Sequence, residues 1–310
     1  MEIFRQLDAL PDQLRGGALT IGNFDGVHLG HAAIVDVLKS QARRGGGPAI
    51  VFTFDPHPVR LLRPEQTPPP LTWTKRKAEL LAEIGVDAVI AYPTDLPLLQ
   101  LTAKDFFEQI VCKAVAAQAV VEGENFYFGR DRQGDIPTLR ALCRSNDMEL
   151  MVVPPVSVDR QPVSSSHIRN LLAAGDVATA ARMLTRPYRL RGMVTHGAGR
   201  GGKLGFPTAN LEAIDTLIPA DGVYAGIAWA NDRQRAAAIH IGPNPTFGEM
   251  HKKVEIHLVD CSETLYGMPL EVDFVMRLRD TGKFESADSL KDQLAQDVDK
   301  VRVWWAANKP

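Results

Sequence analysis

Five short apolar segments alternate with amphipathic ones across the first half of this chain, and that alternation constrains the fold more than any single motif. Ala18–Ile21, Ala49–Phe54, Ala88–Tyr92, Ala119–Val121 and Leu150–Val153 are apolar with no period of two, the pattern of strands buried on both faces. Between them, helical periodicity runs over about residues 31–43, 74–84, 103–116 and 136–146. Thr102, with Asp105 three residues on, reads as an N-cap, and Gly85 as a C-terminal stop. Such alternation predicts an α/β unit, a Rossmann-like parallel sheet covered by helices on both faces. Ligands of such sheets bind at the carboxyl ends of the strands. The stretch from Asp55 to Pro70 carries six prolines and reads as an excursion outside the packed elements.

Two short helices are expected after Val163, the first ended by Gly175, and near Arg186-Pro187 the pattern changes. Tyr224–Trp229, Ala236–Ile241, Val254–Val259 and Leu270–Met276 are β-branched or alternating runs divided by Gly, Pro, Asn and Asp. They predict an antiparallel β-barrel, closed by an amphipathic helix over about 286–304. A length of 310 residues suits two domains, and the expected division is 1–185 and 186–310. The net charge is −2, so no basic surface argues for nucleic acid, and an anionic ligand must be held by local devices. Cys112, Cys143 and Cys261 form no C-x-x-C pair and are expected to be free thiols of a reducing compartment. No apolar run approaches the roughly 18 residues of a membrane span, and no signal peptide opens the chain. A cytoplasmic protein without membrane or nucleic-acid partners is expected, with association into homo-oligomers left open.

The turn Gly22-Asn23-Phe24-Asp25-Gly26-Val27-His28-Leu29-Gly30-His31 leaves the first strand and opens the first helix. Two imidazoles three residues apart project to one side of a helix, where free N–H groups and the dipole already favour an anion. Gly30 lets a nucleotide approach the backbone. The G-x-G-x-x-G fingerprint and the Walker A motif are both absent, since Gly202-Lys203 is followed by Leu204. Ser164-Ser165-Ser166-His167-Ile168-Arg169 offers a second phosphate grip, with three hydroxyls and an arginine fork at a helix start. Farther on, Gly197 to Gly205 is the densest glycine segment, whose N–H groups could cradle phosphates or form a plain hairpin loop. Thr208 and Asn210 follow, two neutral oxygens that share a face if extended and suit Mg²⁺ together with ATP phosphates.

With these motifs assembled, the chain resembles the bacterial bifunctional riboflavin kinase/FAD synthetases over about residues 15–305. The resemblance is carried by Gly22 to His31, by Thr53-Phe54-Asp55-Pro56-His57-Pro58, by Gly123-Glu124-Asn125-Phe126-Tyr127-Phe128-Gly129 and by Ser164 to Arg169. It continues through Pro207-Thr208-Ala209-Asn210, Asp221 to Tyr224, Ile241 to Phe247, Val254 to His257 and Leu265-Tyr266-Gly267. It implies that His28 and His31 act on the transferred phosphate and that Gly22, Asn23, Phe24, Asp25, Gly30, Asn125, Ser164, Ser165, Ser166, Arg169, Gly199 and Gly205 bind nucleotide. Phe54, Phe126, Phe128, Gly197 and Lys203 would contact flavin, and Thr208 and Asn210 would hold Mg²⁺. Glu255 would be the general base toward the riboflavin hydroxyl; from its residues alone it is equally an outward, solvated acid. Asn125 replaces the usual aspartate of its motif, Pro162 stands where many relatives have arginine, Ser166 replaces threonine, and His240 stands where many have asparagine.

The expected function is ATP-dependent phosphorylation of riboflavin to FMN in the barrel, and adenylylation of FMN to FAD with release of pyrophosphate in the sheet domain. The alternatives are a monofunctional riboflavin kinase with a nucleotide-binding but inactive first half, which Asn125 and Pro162 motivate, and a non-enzymatic flavin-binding regulator. An adenylyltransferase acting on another phosphate acceptor is a further possibility, against which only the barrel speaks.

Overall fold

The computed structural model describes residues 2–196, 200–231, 233–244, 249–261, 263 and 265–308. The chain divides into two compact units, Met1–Pro68 with Thr72–Ser164, and Pro69–Leu71 with Ser165–Pro310. The sequence pattern changes later, at Arg186-Pro187, because the two helices before that point pack with the barrel.

The first unit is a six-stranded sheet of β1 (Ile3–Phe4), β2 (Ala18–Ile21), β3 (Ala49–Asp55), β4 (Ala88–Pro93), β5 (Ala119–Gly123) and β6 (Glu149–Val153), in the order β1-β4-β3-β2-β5-β6. Every neighbouring pair is parallel. Its helices are α1 (Leu29–Gly45), α2 (Pro58–Leu62), α3 (Thr74–Glu83), α4 (Leu96–Gln100), α5 (Ala103–Phe106) and α6 (Ile136–Ser145). Successive strand residues alternate between two cores, as a sheet buried on both faces requires. Leu19, Ile21, Ile50, Phe52 and Ile90 join one core with Phe106 and Phe107, while Ala18, Val51, Val89 and Val121 join the other with Val35 and Leu38 of α1. From β2 the chain runs outward through β3 and β4, then returns to lay β5 on the opposite side of β2. The carboxyl ends of β2 and β5 therefore flank a topological switch point.

Three expectations are corrected. β6 is not buried on both faces: it is the sheet's edge, and Glu149 and Met151 are exposed. The helix expected over 103–116 is α-helical only through α5 and continues as a wider π-helical stretch over Phe107–Ala114. The proline-rich excursion contains α2, whose first turn is capped by the His57 side chain accepting the Val59 N–H at 3.1 Å. A small hairpin, β7 (Ser157–Val158) and β8 (Gln161–Pro162), follows the sheet.

The second unit begins with α7 (Ser165–Ala173) and α8 (Val177–Leu184), which Gly175 separates at φ +80°. β9 (Tyr188–Thr195), β10 (Ala209–Glu212), β11 (Gly222–Ala230), β12 (Arg233–Asn244), β13 (Glu249–Leu258) and β14 (Pro269–Arg279) close an antiparallel barrel in the order β10-β13-β12-β11-β14-β9. Closure leaves no strand edge open among the described residues. A short α9 (Arg200–Lys203) lies between β9 and β10, and α10 (Ala287–Asn308) ends the fold. Tyr188, Tyr224, Ile239, Ile256 and Phe274 are buried in the barrel, and α10 sets Val298 and Val301 against Ala225 and Ala236. The helix is pinned by Asp297, 1% exposed, which takes the Arg279 guanidinium at 2.8 Å and the Gln293 amide at 3.1 Å.

Candidate active sites

His28 and His31 face one another at the start of α1, their rings stacked with centroids 3.7 Å apart and 12° between planes. Each closes half of a reciprocal cap: His31 Nδ1 accepts the His28 N–H at 3.3 Å, and His28 Nδ1 accepts the His31 N–H at 3.4 Å. Such a box is usually built by a hydroxyl and a carboxylate or amide. Built from imidazoles it fixes the tautomer, because a ring whose Nδ1 accepts carries its proton on Nε2. Both rings thus present an Nε2–H donor at a helix N-terminus. Gly30 fits closely under this pairing, since a Cβ there would stand 3.2 Å from the His28 ring and the ring would have to give by a few tenths of an ångström.

The turn that delivers the pair is stitched from behind. Asp25, buried, accepts the Thr72 N–H at 3.1 Å and its hydroxyl at 3.3 Å, and Thr72 Oγ1 accepts the Gly26 N–H at 3.2 Å. The Thr53 hydroxyl donates to Asn23 O at 3.2 Å and takes the Lys77 ammonium at 3.3 Å. Burial pulls the Lys77 pKa down, and the charges of Asp25 and Asp55 oppose that shift. Phe24, Gly26 and Val27 all take positive φ in this turn.

At the switch point the structure holds a cavity of about 250 Å³. Of the expected nucleotide and flavin residues, Gly22, Phe24, His28, Gly30, His31, Asn125 and Phe126 line it. Asn23, Asp25, Phe54 and Phe128 do not: Phe128 is a core residue, stacked on Phe126 at 5.4 Å, and Phe54 packs edge-on against Phe52. Asn23 Oδ1 is buried with no hydrogen-bond partner among the described residues. Ser165, Ser166 and Arg169 lie on α7 in the second unit, where Arg169 Nε donates to Pro69 O at 2.9 Å. Sequence reading missed Lys77, Thr72 and the buried Glu122, which also lines the cavity.

In the barrel, strand register places four polar residues in one row. Asn210 pairs with Thr195 on one side and Glu255 on the other, and Glu255 pairs with His240. Directly opposed residues share a face, so Glu255 stands beside Asn210, half-buried on the strand face opposite the buried Val254 and Ile256. His240 Nδ1 lies 3.7 Å from Glu255 Oε2, and burial lowers its pKa against the pull of that carboxylate. Thr208 precedes β10 and shares Asn210's side of the extended chain. The turn before it is held by His257, whose Nδ1 bonds Pro207 O at 2.8 Å. A cavity of about 430 Å³ lies here, lined among others by His196, Asn210, Glu212, Lys252 and Lys253. Gly205 takes φ +89°, and a Cβ on Gly201 would collide with Phe206 O. Gly197 and Gly199 lie outside the described residues, as does the Lys203 side chain.

A parallel sheet with two imidazoles at its switch point, followed by an antiparallel barrel with an acid beside neutral side-chain oxygens, is an arrangement suited to phosphate transfer at two sites. The comparisons with known proteins agree in both halves. The FAD synthetase family model matches residues 10–167 and the riboflavin kinase model residues 184–305. The bifunctional riboflavin kinase/FMN adenylyltransferase of Pseudomonas fluorescens is 35% identical over 304 residues, covering 98% of this chain and 97% of that one. Its counterpart from Escherichia coli K12 is 32% identical over 296 residues, 95% of each chain. A crystal structure described as a macrolide-efflux protein from Streptococcus pneumoniae superposes with a TM-score of 0.86 at 30% identity, over 97% of this chain and 98% of that one. Among the described residues of this chain no helix is long and apolar enough to cross a membrane. The chain belongs to the bifunctional riboflavin kinase/FMN adenylyltransferase family.

Proposed function

We propose that this bifunctional enzyme adenylylates FMN at the switch point of the first unit and phosphorylates riboflavin at the Asn210–Glu255 row of the barrel. The observation that carries the first assignment is the stacked His28–His31 pair, whose cap fixes Nε2–H on both rings. The FMN phosphate attacks the ATP α-phosphorus and pyrophosphate leaves. Negative charge grows on the transferred group, and two N–H donors beside a helix N-terminus stabilise it. Asn125, an amide where a carboxylate is usual in the motif, lines the same cavity and leaves it less negative. The family resemblance also gives Ser164, Ser165, Ser166 and Arg169 a phosphate-binding role.

In the barrel, Glu255 takes the proton of the riboflavin 5′-hydroxyl as that oxygen attacks the ATP γ-phosphorus. Thr208 and Asn210 offer hard, neutral oxygens without surplus charge, a donor set that fits Mg²⁺ only in company with ATP phosphates. When bound there the ion neutralises phosphate charge. Gly199 and Gly205 belong to the phosphate loop, and Gly197 and Lys203 to the flavin side; in the first unit Phe126 lines the cavity, while Phe54 and Phe128 pack against and within the core and are assigned no flavin contact. The three cysteines are free, and we place the enzyme in a reducing, cytoplasmic setting.

The test is a time course from riboflavin and Mg-ATP that separates FMN and FAD, run with Glu255→Gln beside the wild type. Glu255→Gln is expected to stop FMN formation and to leave FAD formation from supplied FMN unchanged. Loss of both reactions in a folded variant would refute the division between two sites.

A further inference from the structure

Glu122 is the penultimate residue of β5 and is 2% exposed. The ladder between β2 and β5 runs only through Ala18–Ala119 and Leu19–Val120, so the Ile21 N–H finds no carbonyl on β5. Glu122 Oε1 fills that gap, accepting the Ile21 N–H at 2.7 Å. Oε2 has no hydrogen-bond partner among the described residues, and the side chain lines the cavity that contains His28 and His31. The wall around it is otherwise largely apolar, with Phe24, Ile34, Phe126, Val153 and Pro155. A buried polar group with half its capacity unmet, set in an apolar wall, is a place where a ligand's polar edge is read.

We infer that Glu122 is the residue that reads the purine ring of the adenylyl donor, with Oε2–H donating to a ring nitrogen and Oε1 accepting the exocyclic amine. This rests on the reading that ATP occupies this cavity. Burial drives the carboxyl well above the ordinary carboxylate range, against the pull of the Ile21 N–H, which favours the protonated form. Because Oε1 already accepts the Ile21 N–H, that proton belongs on Oε2. A neutral carboxyl then shows a donor beside an acceptor, the pattern with which an amide side chain reads adenine. Guanine and hypoxanthine fail on either edge: N1 carries a hydrogen that would meet Oε2–H, and O6 would meet the acceptor Oε1. An ionised carboxylate would show the opposite preference, so burial of the acid is what sets the choice of base.

The full chain tests this by KM for ATP, ITP and GTP in FAD formation from FMN, in wild type, Glu122→Gln and Glu122→Leu. The ratio of KM values on one sample is independent of the fraction folded. Wild type should prefer ATP by at least tenfold, the cost of leaving one buried donor or acceptor unpaired. Gln, whose oxygen takes the Ile21 N–H and whose NH₂ then faces the cavity, should keep that ratio, while Leu should bring it within about threefold of unity. Equal KM values in wild type, or an unchanged ratio in Glu122→Leu, overturns the inference; the wild-type arm decides even where the Leu variant does not fold. His31→Ala separates the two layers. If it leaves FAD formation intact, the placement of ATP here is wrong; if it stops FAD formation and the Leu ratio is unchanged, only the role of Glu122 is wrong.

Discussion

Replacing His31 by alanine removes three things that the structure allows to be weighed separately. The first is the Nε2–H donor that we assign to the transferred phosphate; one such donor is worth about 10²–10³ in rate, roughly 3–4 kcal/mol. The second is the cap bond from His28 N–H to His31 Nδ1, worth about 1 kcal/mol of helix stability. The third is the ring that holds His28 in place by stacking at 3.7 Å. His31→Ala should therefore lower kcat for FAD formation by about 10²–10³ and the melting temperature of the first unit by about 2–4 °C. FMN formation should persist. Glutamine at this position can still accept the His28 N–H, as it does in ordinary capping boxes. His31→Gln should thus recover most of the lost stability and little of the lost rate. The assay is stopped-time FAD formation from FMN and ATP, with calorimetry on the same samples. A His31→Gln protein with wild-type turnover would refute the donor role and leave the imidazole as a cap alone.

Other perturbations test the same structure elsewhere. Gly30→Ala adds a methyl 3.2 Å from the His28 ring; helix propensity improves by up to about 1 kcal/mol, so FAD formation should fall while thermal stability holds or rises. Asp297→Ala strips the buried partner of Arg279 and should cost about 3 kcal/mol in denaturant unfolding, with α10 loosened first in hydrogen exchange. Glu122 has its folded pKa raised, so its contribution is fully present below the unfolded carboxylate range and is lost as pH rises through the folded value. Relative to Glu122→Gln, the wild type should accordingly lose stability as pH rises from about 4.5 upward; parallel pH–stability curves for the two proteins would contradict the burial of a protonated acid.

The central strands were legible because burial on both faces leaves an apolar run with no alternation, as in Ala18–Ile21 and Ala49–Phe52. The barrel strands were legible for the opposite reason, their alternation between Gly, Pro and Asn breaks. The π-helical stretch Phe107–Ala114 was not, since one more residue per hydrogen-bonded turn leaves no mark on side-chain type. The site showed the same split. His28 and His31 stand close in sequence, so helix geometry alone put them on one side. Lys77 sits in a Lys-Arg-Lys run that reads as a solvated face, and Glu122 looks like any acid at a strand end. Only the place where the β2–β5 ladder stops shows why one of them is buried. Glu255 needed register: its neighbours Asn210 and His240 are distant in the chain and adjacent only across strands.

The reciprocal cap at the start of α1 also bears on how such chains drift over generations. The two imidazoles to which we assign the phosphate are the same groups that close the helix's first turn. A descendant released from making FAD would still be selected to fold, and losing either ring would unsettle α1. The histidine pair is therefore expected to outlast the reaction, decaying more slowly than Asn125, which lines the cavity without capping a helix. In distant branches of the lineage, the cavity-facing positions should be the earlier record of which members still transfer an adenylyl group.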